Sequence, residues 1–493
     1  MDDTILVIDA GTTSSRAMLF GADGTCLAVE QRDLAQHYPR PGWVEHDAAE
    51  IWEKSLACAR AVTVAAGGAE RIAGIGLTNQ RETIVFWSRR SGEPLAPAIV
   101  WQDRRTADLC GRLQAKGHED ALQAKTGLLL DPYFSATKIA WALEHWPRLR
   151  QAGADLAVGT VESWLVWKLT GGLHVTDATN ASRTALMDIR AGCWDEGLLD
   201  LFGVPAAALP EIVDCAGEFG ATDADRLGAA VPIRGMAGDQ QAAAIGQACL
   251  APGDTKATYG TGAFVLTHTG GDAPVSRHRL LTTIASQIDG KRAFALEGSV
   301  FVAGSLVKWL RDELGLIATS AESAEIAAGL ADSGGVYVVP AHCGLGAPHW
   351  RPDARAAISG LSFGTGRAHI VRAALEAMAH QTHDLMTAFA GDGAAWQSLR
   401  IDGGMAANDW LAQDLADILG LAVERPRFVE TTALGAAMLA AVGTGLHRSL
   451  AEAAAAMRGP VERFAPAMKK AQRQERLKGW RSAVVMVLGA QSG

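Results

Sequence analysis

No stretch of the 493 residues approaches the roughly 18 uninterrupted apolar residues of a membrane-spanning helix. Met1-Asp2-Asp3 is acidic where an export signal would be basic, so the expectation is a cytoplasmic protein with no membrane span. Positive charge is also short. Against 54 aspartates and glutamates stand 45 lysines and arginines, interspersed, for a formal net charge of −9. That balance disfavours nucleic acid as the main partner, but not a small phosphorylated ligand held by local amide groups. No two cysteines have C-x-x-C spacing, and the seven present (Cys26, Cys58, Cys110, Cys193, Cys215, Cys249, Cys343) are scattered and odd in number. They read as buried reduced thiols rather than a disulfide framework. His342, Cys343 and His349 fit no zinc spacing and are not read as a metal site. Low-complexity tracts are lacking too, and the tail beyond Pro460 reads as a charged helix with a solvated face.

What is present is apolar material enough for real cores, 48% of the chain, and a length that suits more than one domain. The chain is organised around Gly238-Asp239-Gln240-Gln241, which follows an apolar run (residues 231–237) read as a strand and precedes an alanine-rich run (242–248) read as a helix. A carboxylate there faces the crevice where α/β proteins bind ligands, or else is an ordinary helix N-cap. Residues 4–20 read strand, Gly-Thr-Thr-Ser turn, strand: a hairpin whose tip offers hydroxyls and amides to phosphate oxygens, with the Asp9 carboxylate pointing at the same place. Residues 254–267 repeat the pattern around Gly260-Thr261-Gly262, half a chain length later, which suggests two related domains facing each other across a cleft. Pro252-Gly253-Asp254 marks the boundary, giving residues 1–250 and 251–493.

Between the hairpins lie groups suited to a short polyol. Arg81-Glu82, beside a strand, can present a donor fork and an acceptor together, or can be a surface ion pair. Trp101 and Tyr133 would add an aromatic face and a phenol, though Trp101 taken singly suits core packing. Residues 299–312 have helical spacing with Gly304 inside, which points either to close approach by something flat or to a helix-helix contact. Gly403-Gly404 at a strand-to-helix turn would let a ring lie against backbone, and Asn408 can hydrogen-bond that ring or cap the helix.

Taken in order, these motifs resemble the FGGY carbohydrate kinase family, and within it the glycerol kinases. The resemblance runs from Asp9-Ala10-Gly11-Thr12-Thr13-Ser14-Ser15-Arg16 through Asn79-Gln80-Arg81-Glu82-Thr83, Asp131-Pro132-Tyr133-Phe134-Ser135, Thr179-Asn180-Ala181-Ser182-Arg183-Thr184, the Asp239 motif, Tyr259-Gly260-Thr261-Gly262 and Gly344-Leu345-Gly346-Ala347-Pro348 to Asp402-Gly403-Gly404. It implies an α/β fold of two actin-like, ribonuclease H-like ATPase domains around a central cleft. It implies phosphorylation of glycerol by ATP, with Asp239 as general base, in a homo-oligomer. By matching motif, Arg81, Glu82, Tyr133, Asp239 and Gln240 would hold glycerol, with Trp101 and Phe264 on its carbon side. Thr12, Thr13, Ser14, Arg16, Thr261, Gly304, Gly404 and Asn408 would contact nucleotide, and Mg²⁺ would sit by Asp9 and Asp239.

This sequence departs from the pattern twice. Lys308 stands where these kinases commonly have Gln, and Gly228-Ala229-Ala230 replaces the Gly-Gly-x-Arg loop of members inhibited by fructose 1,6-bisphosphate, so that inhibition is not expected. The rival readings are a kinase for another short polyol or a sugar, and an actin- or Hsp70-like ATPase. The latter needs no Arg81-Glu82 pair.

Overall fold

The computed structural model describes residues 4–351 and 353–489; Met1-Asp2-Asp3 lie outside them. Strands β1 (Thr4–Ala10), β2 (Ser14–Phe20), β3 (Cys26–Asp33), β4 (Ile72–Asn79) and β5 (Ile233–Gly238) form a five-stranded sheet in the order β5-β4-β1-β2-β3. The second half builds a seven-stranded sheet from β6 (Asp254–Tyr259), β7 (Ala263–Gly270), β8 (Leu281–Ile288), β9 (Lys291–Val300), β10 (Ser398–Asp402), β11 (Val423–Pro426) and β12 (Val461–Phe464), in the order β8-β9-β7-β6-β10-β11-β12. Without β8 and β12 at its edges, the second sheet has the order of the first. In each, an antiparallel meander (β1-β2-β3 or β6-β7-β9) is followed by two parallel strands (β4, β5 or β10, β11). This is the duplicated, two-domain α/β architecture that the paired hairpins implied.

The helices used below are α1 (Ala48–Ala65), α2 (Val161–Thr170), α3 (Asp239–Gly246), α4 (Gly304–Asp312), α5 (Asp409–Leu419), α6 (Thr431–Gly443) and α7 (Lys470–Gly489). The β1 sequence TILVIDA is apolar almost throughout because both of its faces are covered. With period two, Leu6, Ile8 and Ala10 pack with Ile51, Trp52 and Ala59 of α1, whereas Ile5 and Val7 pack with Ala433, Ala436, Ala437 and Ala440 of α6. The second cover comes from the other half of the chain. α6 carries no charge, as befits a helix buried all round, and it crosses α3 in backbone contact. A Cβ on Gly435 would lie 1.8 Å from the carbonyl oxygen of Ala242, and one on Gly246 would lie 2.0 Å from that of Thr431.

Three local expectations change. Of the cysteines read as buried thiols, Cys58, Cys110, Cys215 and Cys249 are buried, Cys26 is half-buried, and Cys193 and Cys343 are exposed. Ser299 and Val300 are the end of β9, paired with Phe264 and Ala263, so the helix expected from residue 299 begins at Gly304. Backbone pairing across the sheet overrides the helical spacing. The tail helix α7 is not merely a solvated face: Leu477, Trp480, Ala483, Val484 and Val487 are buried, and Trp480 Nε1 donates to Asp384 at 2.8 Å. Lys478 and Arg481 lie between these apolar positions and four more charged residues precede Leu477, which obscures the helical spacing.

Candidate active site

Parallel strands bring their carboxyl ends to one edge of a sheet. Asp9 on β1 is in register with Thr78 on β4, and Gly238 on β5 is in register with Asn79, so Asp9 and Asp239 emerge at the same edge, on either side of β4. Gly238 is the N-cap of α3 and Asp239 its first residue, with no side-chain capping bond. The N-cap alternative therefore does not describe Asp239. Its carboxylate instead lies 3.4 Å from Arg81 Nε, with 35% of the side chain accessible. Burial pushes the Asp239 carboxyl above the ordinary range, against the pull of Arg81 and Lys256, and Asp9 pushes it further.

Arg81 and Glu82 stand where the chain leaves β4 for a separate four-stranded sheet that includes Ile84–Ser88. They are not a surface pair; 2% and 1% of the two residues are exposed. Glu82 holds a left-handed backbone conformation (φ 62°), a strained geometry for a non-glycine residue of the kind that concentrates at functional sites. The Arg81 guanidinium donates to Glu297 on β9 (2.6 and 3.2 Å), to Gln241 Oε1 (3.2 Å) and to the Tyr133 hydroxyl (3.3 Å). Arg183 completes a ring of charges, donating to Glu82 Oε1 at 2.6 Å and Glu297 Oε1 at 2.9 Å. Burial alone would raise Glu297, but Arg183 and Arg81 outweigh it and hold the carboxyl at about 2. Glu82 is raised by burial in spite of the same two arginines.

The remaining polyol candidates converge here from both halves. The Trp101 ring makes edge contacts with Tyr133 (centroids 5.7 Å apart) and with Phe264 of β7 (6.4 Å). Gln240 Oε1 accepts a hydrogen bond from Lys256 of β6, whose ammonium also donates to Thr258 Oγ1 at 2.9 Å. Lys256 is fully buried, and burial lowers its pKa against the attraction of Asp402 and Asp239. Three of these groups, Arg183, Lys256 and Glu297, were given no site role from the sequence, although Arg183 stands in one of the motifs that carry the family resemblance. For Lys256 and Glu297 the available signal was a charge set among small and apolar strand residues, in T-K-A-T-Y and A-F-A-L-E-G-S-V.

The nucleotide candidates line the adjoining surfaces. The two hairpin tips close with Gly11 N–H donating to the Ser14 carbonyl (3.0 Å) and Gly260 N–H to the Gly262 carbonyl (2.9 Å). Thr13 and Thr261 are exposed and Ser14 is half-buried. Thr12 Oγ1 accepts the Trp101 indole N–H at 2.9 Å, which joins the first hairpin to the aromatic wall. Arg16 reaches Asp9 and, across the halves, Glu430, at 2.6 Å each. Glu430, Asp402, Gly404 and Arg425 line a cavity of about 840 Å³. Gly404 has open space on its Cβ side. A Cβ on Gly304 would lie 2.5 Å from the Gly260 carbonyl oxygen, so the close approach that demands a glycine here is made by the second hairpin's own backbone and not by another helix. Asn408 caps α5, its Oδ1 accepting Leu411 N–H at 3.0 Å. Lys308 is exposed, one turn along α4 from Gly304.

Two carboxylates at one sheet edge, Asp9 buried and Asp239 partly accessible, fit a divalent cation that takes one or two carboxylates and completes its shell from water and phosphate oxygens. Among the described residues no group of three or more His, Cys, Asp or Glu side chains is disposed to hold a metal by itself. At the departed loop, Gly228 and Ala230 are exposed, Arg226 lies 3.8 Å from Asp223 and Arg234 lies 3.3 Å from Glu218.

Residues 4–246 match the N-terminal domain of the FGGY family of carbohydrate kinases, and residues 255–444 match its C-terminal domain. Over 495 residues the chain is 53% identical to a glycerol kinase of Alcanivorax borkumensis, with 99% of each chain covered. It is 55% identical over 484 residues to one of Rhodospirillum centenum, with 97% of each covered. Among solved structures, it superposes on a Plasmodium falciparum glycerol kinase with ADP at a TM-score of 0.95 and 36% identity, covering 99% of this chain and 98% of that one. A gluconate kinase of Lactobacillus acidophilus, 20% identical, shares the fold at a TM-score of 0.90 over 100% of this chain and 99% of that one.

Proposed function

The chain belongs to the FGGY family of carbohydrate kinases, and from that premise we propose that it transfers the terminal phosphoryl group of ATP to a terminal hydroxyl of glycerol, giving sn-glycerol 3-phosphate and ADP. The observation that carries this reading is the convergence of Arg81, Tyr133 and Trp101 from residues 1–250 with Phe264 and Glu297 from residues 251–493 around the accessible carboxylate of Asp239.

An alcohol must lose its proton as its oxygen bonds to phosphorus. Asp239 is placed to accept that proton, which general-base catalysis values at about 10²- to 10⁴-fold. The bond from the terminal phosphorus to the bridging oxygen breaks, and ADP leaves with that electron pair. Arg81, Glu82, Tyr133 and Gln240 hold the hydroxyls, and Trp101 with Phe264 covers the carbons. Lys256 orients Gln240 through its hydrogen bond. The hairpin amides around Thr12, Thr13, Ser14 and Thr261, with Arg16, cradle the phosphates, while Gly304, Lys308, Gly404 and Asn408 lie on the base side. Asp9 and Asp239 would hold Mg²⁺, which neutralises charge on the phosphate oxygens. Approach of the two halves would exclude water, the competing acceptor.

No described helix is long and apolar enough to cross a membrane. We take the protein to be cytoplasmic and a homo-oligomer, a dimer or tetramer, as the family resemblance read from its motifs implies. The test is ADP release from ATP with and without glycerol, and with a panel of other short polyols and sugars. Release that depends on glycerol is expected. Release indifferent to glycerol would support an assembly or client-binding ATPase, and a stronger response to another polyol would reassign the substrate.

A further inference from the structure

Behind the turn that carries Asp239 lies a buried polar cluster that phosphoryl transfer leaves unused. Glu162, the second residue of α2, is fully buried. Its Oε1 accepts the hydroxyls of Thr160 (2.5 Å) and Thr176 (2.6 Å), and its Oε2 accepts Nδ2 of Asn79 (2.9 Å). Asn79 ends β4, and its side-chain amide exchanges hydrogen bonds of 3.1 and 3.0 Å with that of Asn180. Asn180 Nδ2 also donates to Asp177 at 2.6 Å. Asp177 Oδ1 accepts the Thr179 hydroxyl, and Thr179 Oγ1 in turn accepts the N–H of Gly238 at 2.9 Å. Gly238 immediately precedes Asp239 and is the register partner of Asn79. Glu162 is thus tied to the Asp239 turn by two routes, one along the end of β4 and one through Asn180, Asp177 and Thr179.

We propose that Glu162 is a positioning residue: it sets the Asn79–Asn180 amide pair and, through it, the turn that aims Asp239 at the substrate hydroxyl. This rests on the reading of Asp239 as the base. Asn79 also leads directly into Gln80-Arg81-Glu82, so the same pair orients the bend that holds the polyol fork.

Glu162 does this as a neutral acid. Among the described residues, the groups donating to Glu162 and Asp177 are hydroxyls, amides and the Cys215 thiol; no arginine or lysine reaches either carboxyl. Two carboxylates in a dry interior without a cation cannot both ionise at modest cost. Asp177 takes the larger share of donors, including the backbone N–H groups of Thr179 and Asn180. Glu162 is raised by burial and then by Asp177, so it is the one that keeps its proton, and its O–H can donate back to Thr160 or Thr176. Of the elements around it, β4, Ile84–Ser88 and Leu156–Thr160 carry no charged residue, and Val175–Asp177 contributes only Asp177. When rising pH removes the proton, a donor becomes an acceptor beside a second negative charge, and the amide pair loses its setting.

The test is steady-state kinetics of the full chain with ATP and glycerol from about pH 6 to about pH 10, on the wild type, Glu162→Gln, Glu162→Ala and Asp239→Asn. The wild type is expected to lose kcat on the alkaline side. Glu162→Gln, which keeps the shape and cannot ionise, is expected within about twofold of wild-type kcat at neutral pH and without that alkaline fall. Glu162→Ala is expected to lose at least about tenfold in kcat while KM for ATP moves less than about twofold. A flat wild-type profile overturns the proposal. So does a Glu162→Gln profile that keeps the alkaline fall, or a Glu162→Gln protein that is inactive throughout or unfolded. If Glu162→Ala fails to fold, the Gln profile decides alone. Normal turnover by Asp239→Asn would sink the base reading by itself, whatever the Gln profile shows.

Discussion

Arg81, from the first half of the chain, donates to Glu297, from the second, at 2.6 Å, with each side chain 2% exposed. The pair locks the polyol fork to the opposite sheet. Glu297 also serves Arg183, so its loss would leave two buried guanidinium groups with Glu82 as the buried carboxylate they share.

Glu297→Ala is therefore expected to destabilise the protein by about 3 to 5 kcal/mol, the usual cost of removing one partner from a buried ion pair. Urea unfolding checks this. The pH dependence has a definite sign. Glu297 sits at about 2 in the folded chain against 4.5 in the free residue, so its stabilisation is complete above that ordinary value and drains away as pH falls from 4.5 towards 2. Glu297→Gln should lack that component of acid destabilisation.

Asp239→Asn is expected to lose at least about a hundredfold in kcat with little change in ATP affinity, since the amide keeps the shape but takes no proton. Single-turnover kinetics together with nucleotide titration separates the two effects.

Trp101→Phe keeps an aromatic face but removes the indole N–H that Thr12 accepts at 2.9 Å. Because that bond joins the polyol wall to the phosphate hairpin, KM should rise for both glycerol and ATP, by about three- to tenfold for the loss of one hydrogen bond. An effect on glycerol alone would show that the two surfaces are independent.

Gly435→Ala places a methyl 1.8 Å from the Ala242 carbonyl oxygen, where only backbone movement could make room. Overpacking of this kind is expected to cost about 1 to 3 kcal/mol or more, read as a lowered Tm.

The two hairpins, their half-chain spacing and Asp239 between strand and helix were legible in the sequence because each is written in a short window of apolar and turn residues. Arg81 and Glu82 were legible as a pair, but not their burial. Glu297 meets Arg81 across 216 positions of sequence, and no local pattern encodes such a partner. Gly304 signalled a close approach without naming the hairpin carbonyl that makes it. Asn408 left open a choice between ring and cap, and the structure uses its side chain as a cap. In α7 the charges between Leu477 and Val487 concealed the buried face.

The late position of α6 bears on how the molecule is made. While residues 4–20 and 72–79 are leaving the ribosome, the helix that will roof Ile5, Val7, Met18 and Phe20 has not yet been synthesised. The nascent first lobe therefore keeps one greasy side of its sheet open to solvent until residues 431–443 emerge, and over that interval it is a natural client for chaperones.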